Sequence, residues 1–281
     1  MKSKKGIFGV QLSRLLNRNE FKIAWVLSML FVTAAFIEAC FMIWGRDKSV
    51  LFSAALGWIG NKNIFSGMVM FVFYSFAVSI IASLPFSDSF LKDKRSKSLC
   101  AILTRCEWGS YIRSGIFLTF ISGFLVIFVP LLLSQALAFI VFSPTGDMPM
   151  RIWGTGAWDA APATDACVFP ALALNHPYLN NMIFIFYASL FAALNAVISY
   201  VISLLGVGKK LFVLCLPTII CIVYSGLIDF IGRSLTITIY LYPDDSVYKN
   251  TLVFFLIPAV QLLIIAAGLI ALRVKKTEAV L

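Results

Sequence analysis

Few residues in this chain have a type and spacing that could do chemistry. The nearest approach to a phosphate cradle is Gly206-Val207-Gly208-Lys209-Lys210. A working phosphate loop reads Gly-x-x-x-x-Gly-Lys-Ser/Thr, because its backbone N–H groups must wrap the phosphates and its hydroxyl must hold magnesium. Both the spacing and the hydroxyl are missing, so the segment reads as a tight turn. The one histidine lies in Asn175-His176-Pro177 with no serine partner or ligand set, which fits a turn residue better than a general base or metal ligand. Neither His-Glu-x-x-His nor Gly-x-Ser-x-Gly occurs, so no zinc-protease site or serine-hydrolase elbow is encoded. Of the six cysteines, Cys100 and Cys106 share a segment that offers no second cysteine or histidine pair. No zinc site or disulfide framework follows. The chain is therefore expected to be non-catalytic and to hold no cofactor and no metal.

The elements that must position whatever function remains are apolar. Hydrophobic residues make up 60% of the 281 and charged residues 13%, with a mean hydropathy of +0.94. Soluble domains are about half apolar and about a quarter charged. A helix crossing the hydrocarbon core needs about 20 mostly apolar residues, and six stretches meet this: 23–44, 65–84, 115–142, 182–205, 211–231 and 252–272. The third is longer than a crossing requires and carries Pro130, so it should tilt or kink. The expectation is an all-α integral membrane protein with a six-span domain over 23–272, an N-terminal segment 1–22 and a tail 273–281. The two long connections are 85–114 and 143–181.

Charge placement sets the direction. Net charge is +10, and the basic residues flank apolar spans instead of interleaving with aromatics on a polar surface. That pattern fits a bilayer and excludes nucleic acid as a partner. Seventeen of the 23 Lys and Arg residues fall in 1–22, 85–114, 206–210 and 273–281, and six fall in the alternate connections. Cytoplasmic loops carry that excess, so the chain is expected in the cell membrane with both termini cytoplasmic. The acid Glu38 and a long basic lead-in argue that the first span is a retained helix and not a signal peptide.

Polar residues inside the spans are few. Glu38 and Asp229 lie near the outer ends of their helices, and only Gln135, Asn195 and Gln261 sit deeper. An intramembrane carboxylate usually marks an ion path; these positions read more simply as interfacial acids and interhelical hydrogen bonds. In the fourth span Ala188, Ala192 and Ala196 recur every four residues beside Ser189 and Ala193, a stripe suited to close helix packing.

Before the first span, Phe8, Leu12, Leu15 and Leu16 share one helical face while Gln11, Arg14 and Arg18 take the other, the pattern of an interfacial amphipathic helix. After the second span, Pro85 to Ser98 mixes aromatic and aliphatic residues with charges of both signs. Asp88 or Ser87 could cap a short helix there, from which Phe90 and Leu91 would project as a docking anchor with charges as the rim. The alternative is a solvated loop that only orients the helices.

This layout, with a Leu103-Thr104-Arg105 stretch and a Tyr111-Ile112 pair leading into the third span, resembles the membrane subunits of type-2 ABC transporters. Where that family usually has Lys after Arg113-Ser114, this chain has Gly115. The resemblance implies an elbow helix over residues 7–20 and an ATPase-coupling segment over 88–98, with Asp88, Phe90, Leu91, Lys92, Asp93 and Arg95 at the contact. It further implies a separate ABC-type ATPase subunit, a second membrane subunit, and a last outer connection that dips back as a gate. Glu38, Gln135, Asn195, Asp229 and Gln261 become candidates for the pathway or for helix packing. Export of an amphipathic or hydrophobic substrate, such as a peptide, antibiotic or lipid, would follow. The competing expectations are an ion-coupled carrier and an ATP-independent channel or scaffold.

Overall fold

The computed structural model describes residues 4–45, 53–61, 67–142, 167–206, 209–229, 232, 235–243 and 249–278. Regular structure among them is helical: α1 (Lys4–Leu16), α2 (Asn19–Ile43), α3 (Met68–Ser83), α4 (Ser89–Arg95), α5 (Ser98–Leu103), α6 (Trp108–Val141), α7 (Pro170–Asn175), α8 (Pro177–Leu204), α9 (Lys210–Asp229) and α10 (Thr251–Glu278). Five of these, α2, α6, α8, α9 and α10, are long and apolar enough to cross a membrane. They stand where five of the six spans were expected. The remaining stretch, 65–84, is the shorter helix α3, about 24 Å long at the usual helical rise, with a π-helical stretch over Phe73–Ala77. Residues 62–66 lie outside the described residues.

Helix α6 begins at Trp108, well before the apolar run does, because Trp108, Tyr111 and Ile112 give its first turns a face that packs on Phe90 and Tyr200. Pro130 is buried inside it and the helix runs on through that position.

Helix α8 is the centre of the bundle, packed against α3, α6, α9 and α10. Its stripe of Ala188, Ser189, Ala192, Ala193 and Ala196 is buried, so the small residues serve packing within this chain. Gly123 of α6 shows how tight that packing is. A Cβ there would lie 3.0 Å from the Ala82 carbonyl oxygen and 3.1 Å from the Ala196 Cβ, so α3, α6 and α8 meet with room only for glycine. The outward sides of α2, α9 and α10 expose Leu30, Phe41, Ile220, Val223, Leu256 and Leu263, as lipid contact requires.

One end of the bundle gathers the basic segments. The apolar stripe of α1, through Phe8, Leu12 and Leu15, packs on Phe86 and Leu118. Leu272, near the end of α10, packs with Phe90, Tyr111 and Tyr200. The N-terminal helix, the α4–α5 segment and the last turns of α10 therefore share this basic end. At the opposite end, residues 53–61 tuck into the bundle with Trp58 fully buried, and the 3-10 helix Ile237–Leu241 packs against α8, α9 and the π-helical stretch.

Candidate functional site

The basic end is built from charges that the chain carries far apart in sequence. Arg14 and Arg18, one helical turn apart on the polar face of the amphipathic segment, reach across to the loop after α3. Arg14 grips the Asp93 carboxylate with both terminal nitrogens, Nη1 to Oδ2 at 3.1 Å and Nη2 to Oδ1. The Tyr111 hydroxyl donates to the same carboxylate at 2.8 Å. Arg18 Nη2 donates to Asp88 Oδ1 at 2.5 Å, and Lys210, opening α9, holds the other oxygen at 3.0 Å. Glu20 joins the cluster, accepting from Lys210 at 3.0 Å and lying 3.5 Å from Arg18 Nε. The Arg18 guanidinium also sits over the Phe86 ring, 5.7 Å from its centroid. The hydrogen bond to Asp93 holds the Arg14 guanidinium more firmly protonated than usual, against the opposing effect of burial.

Burial decides the character of α4. Asp88 is 2% exposed and Asp93 1%. The expectation that Phe90 and Leu91 project from a charged surface is overturned. Both are buried, and Phe90 meets Trp108 edge-on at 5.9 Å and packs with Tyr111, Tyr200 and Leu204. An aromatic on a short helix beside two helix ends lowers its free energy by entering their cleft, and the two carboxylates turn inward with it because Arg14, Arg18 and Lys210 neutralise them. Lys92, Lys94, Arg95 and Lys97 are what remains outside. Lys97 adopts a left-handed backbone, φ 56°, which breaks the chain direction between α4 and α5.

The candidate pathway residues fall into separate places. Asn195, Ser79 and Gln261 come together in the core: Asn195 Nδ2 donates to Ser79 Oγ at 2.8 Å, and Gln261 Nε2 donates to Asn195 Oδ1 at 2.9 Å and to the Phe191 carbonyl at 3.1 Å. Gln261 Oε1 has no partner. Gln135 lies elsewhere and pins the buried segment 53–61, donating to the Ala54 carbonyl at 2.9 Å and accepting from Asn181 at 2.8 Å. Asp229 ends α9, and its side chain lies outside the described residues. Glu38 accepts from the backbone N–H groups of Met68, at 3.0 Å, and Val69, at 3.2 Å, so it satisfies the otherwise unpaired start of α3. Glu38→Ala should cost about 1 kcal/mol through that lost cap, read from the midpoint of denaturant unfolding of the purified protein in detergent. An unchanged midpoint would reject the capping role.

Sequence reasoning left the partners of the buried acids unassigned. Arg14 and Arg18 were legible as a polar face, but that they are ligands for Asp93 and Asp88, 79 and 70 residues away, required the fold. Lys210 was read only as part of a basic turn and Tyr111 only as part of the lead into the third span, so neither pointed to a buried carboxylate. In the connection 143–181, expected to lie outside, residues 143–166 are not among the described residues, and His176 is exposed at the residue before α8 and makes no side-chain capping bond there. In the expected gate region, Tyr242 meets Tyr74 edge-on at 4.9 Å, while residues 244–248 lie outside the described residues. Among the described residues, no three His, Cys, Asp or Glu side chains gather as a metal site would need.

Fold and site together define a class, an all-α multi-pass membrane protein with a charge-clamped segment at one end of its bundle. Compared with known proteins, the chain matches no family model, no curated protein and no solved structure.

Proposed function

We propose that this chain is the membrane subunit of an ATP-driven transporter, with α4 and α5 as the segment on which a separate ATPase acts. The observation that carries the reading is the seating of α4. A push on a loosely tethered loop dissipates in the loop. Here α4 is fastened at three points, by Asp93 to Arg14 and Tyr111, by Asp88 to Arg18 and Lys210, and by Phe90 to the cleft of α6 and α8. Displacing it must move α1, α6, α8 and α9 together, which is what coupling to a pathway between helices demands. On this reading the chain crosses the cell membrane six times, with α3 as its shortest crossing, both termini and α4 are cytoplasmic, and a second membrane subunit completes the pathway. The cargo is amphipathic or hydrophobic, in keeping with walls that carry few polar groups.

Cys100, exposed in α5, supplies the first test. A membrane-impermeant maleimide should label it in permeabilised cells and not in intact cells, with the label lost in Cys100→Ser. Labelling in intact cells that is lost in Cys100→Ser would reverse the orientation and end the proposal. The second arm is affinity purification from native membranes, which should recover a P-loop ATPase.

A second reading draws on the buried cluster of Ser79, Asn195 and Gln261, whose unpaired Gln261 Oε1 could accept from a passing polar solute. It makes the chain an ion-coupled carrier or an ATP-independent channel, and it would prevail if purified protein in vesicles moved solute with no nucleotide and no partner.

A further inference from the structure

Glu20 faces more positive charge than it can neutralise. It accepts from Lys210 at 3.0 Å and lies 3.5 Å from Arg18 Nε and 3.9 Å from Lys92 Nζ. Arg18 Nε is buried and still has no hydrogen-bond partner. Asp88 is already shared between Arg18 and Lys210, and Asp93 is taken by Arg14. Two further cations stand beside this cluster. Lys94 Nζ rests against Gly206, 3.4 Å from where a Cβ on that glycine would be, and Lys209 is exposed at the start of α9. Among the described residues, neither Lys94 nor Lys209 makes an ion pair. Arg18, Lys92, Lys94, Lys209 and Lys210 thus meet Glu20 and Asp88, five cations against two carboxylates, which leaves three positive charges. An anion within reach of the lysines relieves their mutual repulsion.

The same corner is where exposed apolar surface begins. On α2, Ile23 and Val26 are exposed within two turns of Glu20; on α9, Leu211 and Phe212 are exposed directly after Lys210. An exposed helix surface that turns from apolar to basic marks the edge of the hydrocarbon. Both helices reach that edge at one level, because Lys210 of α9 bonds Glu20 of α2. A ligand that suits both halves of the corner carries an anionic phosphate on apolar chains. Free phosphate would use the cations alone, and a headgroup with its own ammonium would oppose them.

We infer that this corner binds one anionic phospholipid, with the phosphate among Lys92, Lys94 and Lys209 and the acyl chains along the exposed apolar residues of α2 and α9. The site does not depend on the proposed transport role. Native mass spectrometry of the full-length protein in detergent, titrated with phosphatidylglycerol, phosphatidylcholine or glycerol 1-phosphate, reads the Kd of the first molecule bound. The variants are Lys92→Gln with Lys209→Gln, Lys92→Arg with Lys209→Arg, and, as a control, Lys22→Gln with Arg113→Gln. Lys22 and Arg113 are also exposed, but Lys22 lies about 200° around α2 from Glu20 and Arg113 belongs to α6. The parent should bind phosphatidylglycerol about tenfold or more tightly than phosphatidylcholine, and the first Gln pair should lose that preference, as two lysines at a headgroup imply. The Arg pair and the control should bind as the parent does. All the substituted residues are exposed, so the lipid-free variants should unfold in SDS at the parent's midpoint. If the parent binds both phospholipids equally, or if glycerol 1-phosphate binds as tightly as phosphatidylglycerol, the lipid site is overturned. If the control pair weakens binding as much as the Lys92 and Lys209 pair, the attraction is general to the basic end and the inference is likewise overturned.

Discussion

Asp88→Ala is expected to destabilise the protein by about 3–5 kcal/mol, the cost of leaving a buried cation without its partner. Asp88 takes Arg18 on one oxygen and Lys210 on the other. The two cations do not suffer equally. Lys210 is 37% exposed at its side chain and keeps Glu20, so it turns toward water, whereas Arg18 is 8% exposed. The loss is therefore chiefly that of Arg18, left with Glu20 at 3.5 Å. Asp88→Asn should fall between parent and alanine, because the amide oxygen still accepts a hydrogen bond while the charge is gone. Replacing the pair together, Asp88→Leu with Arg18→Met, should recover most of the loss, since a buried ion pair contributes less than its rupture costs. The midpoint of SDS-induced unfolding measures all three, and an alanine variant within about 0.5 kcal/mol of the parent, the range of ordinary surface changes, would reject the clamp.

The second large effect is expected at Gly115. A Cβ there would sit 2.0 Å from the Tyr200 hydroxyl oxygen and 2.5 Å from its Cζ. Tyr200 is fully buried among Phe90, Tyr111 and Leu204, so it has nowhere to retreat. Gly115→Ala should thus force α6 and α8 apart and cost about 1–3 kcal/mol, the usual effect of overpacking, with a longer side chain such as Lys costing more. Tyr200→Phe separates packing from polarity. The hydroxyl has no hydrogen-bond partner, so its removal alone should leave stability unchanged or slightly higher. Because the ring still meets the Cβ, Tyr200→Phe should rescue Gly115→Ala only in part, whereas Tyr200→Leu should rescue more. Full stability of Gly115→Ala in an otherwise unchanged chain would show that the two helices do not approach as described.

The contrast between Asp88 and Gly115 also shows which features the chain displays openly. The apolar runs behind α2, α6, α8, α9 and α10 were legible because lipid asks only for length and hydrophobicity, both local properties. The amphipathic stripe of Phe8, Leu12 and Leu15 was legible for the same reason: its periodicity lies within one helix. Helix α3 was less so. Its apolar run continues to Leu84, but the π-helical stretch at Phe73–Ala77 and a short helical course over 68–83 depend on what α8 and the segment 235–243 place beside it. The candidate residues divided similarly. Asn195 and Gln261 had been open to a pathway role or to helix packing without a named partner; they bond to each other across helices, while Gln135 holds a buried loop and Glu38 caps a helix.

Composition and periodicity by themselves determined that this is a helical chain with membrane-length apolar segments and a basic segment between α3 and α6, because each property is written in neighbouring residues. Which charges of that segment face outward was decided only by tertiary structure. A carboxylate turns inward when a guanidinium 70 or more residues away arrives to neutralise it, and neutralisation at close range outweighs the loss of water only once folding has brought the two together.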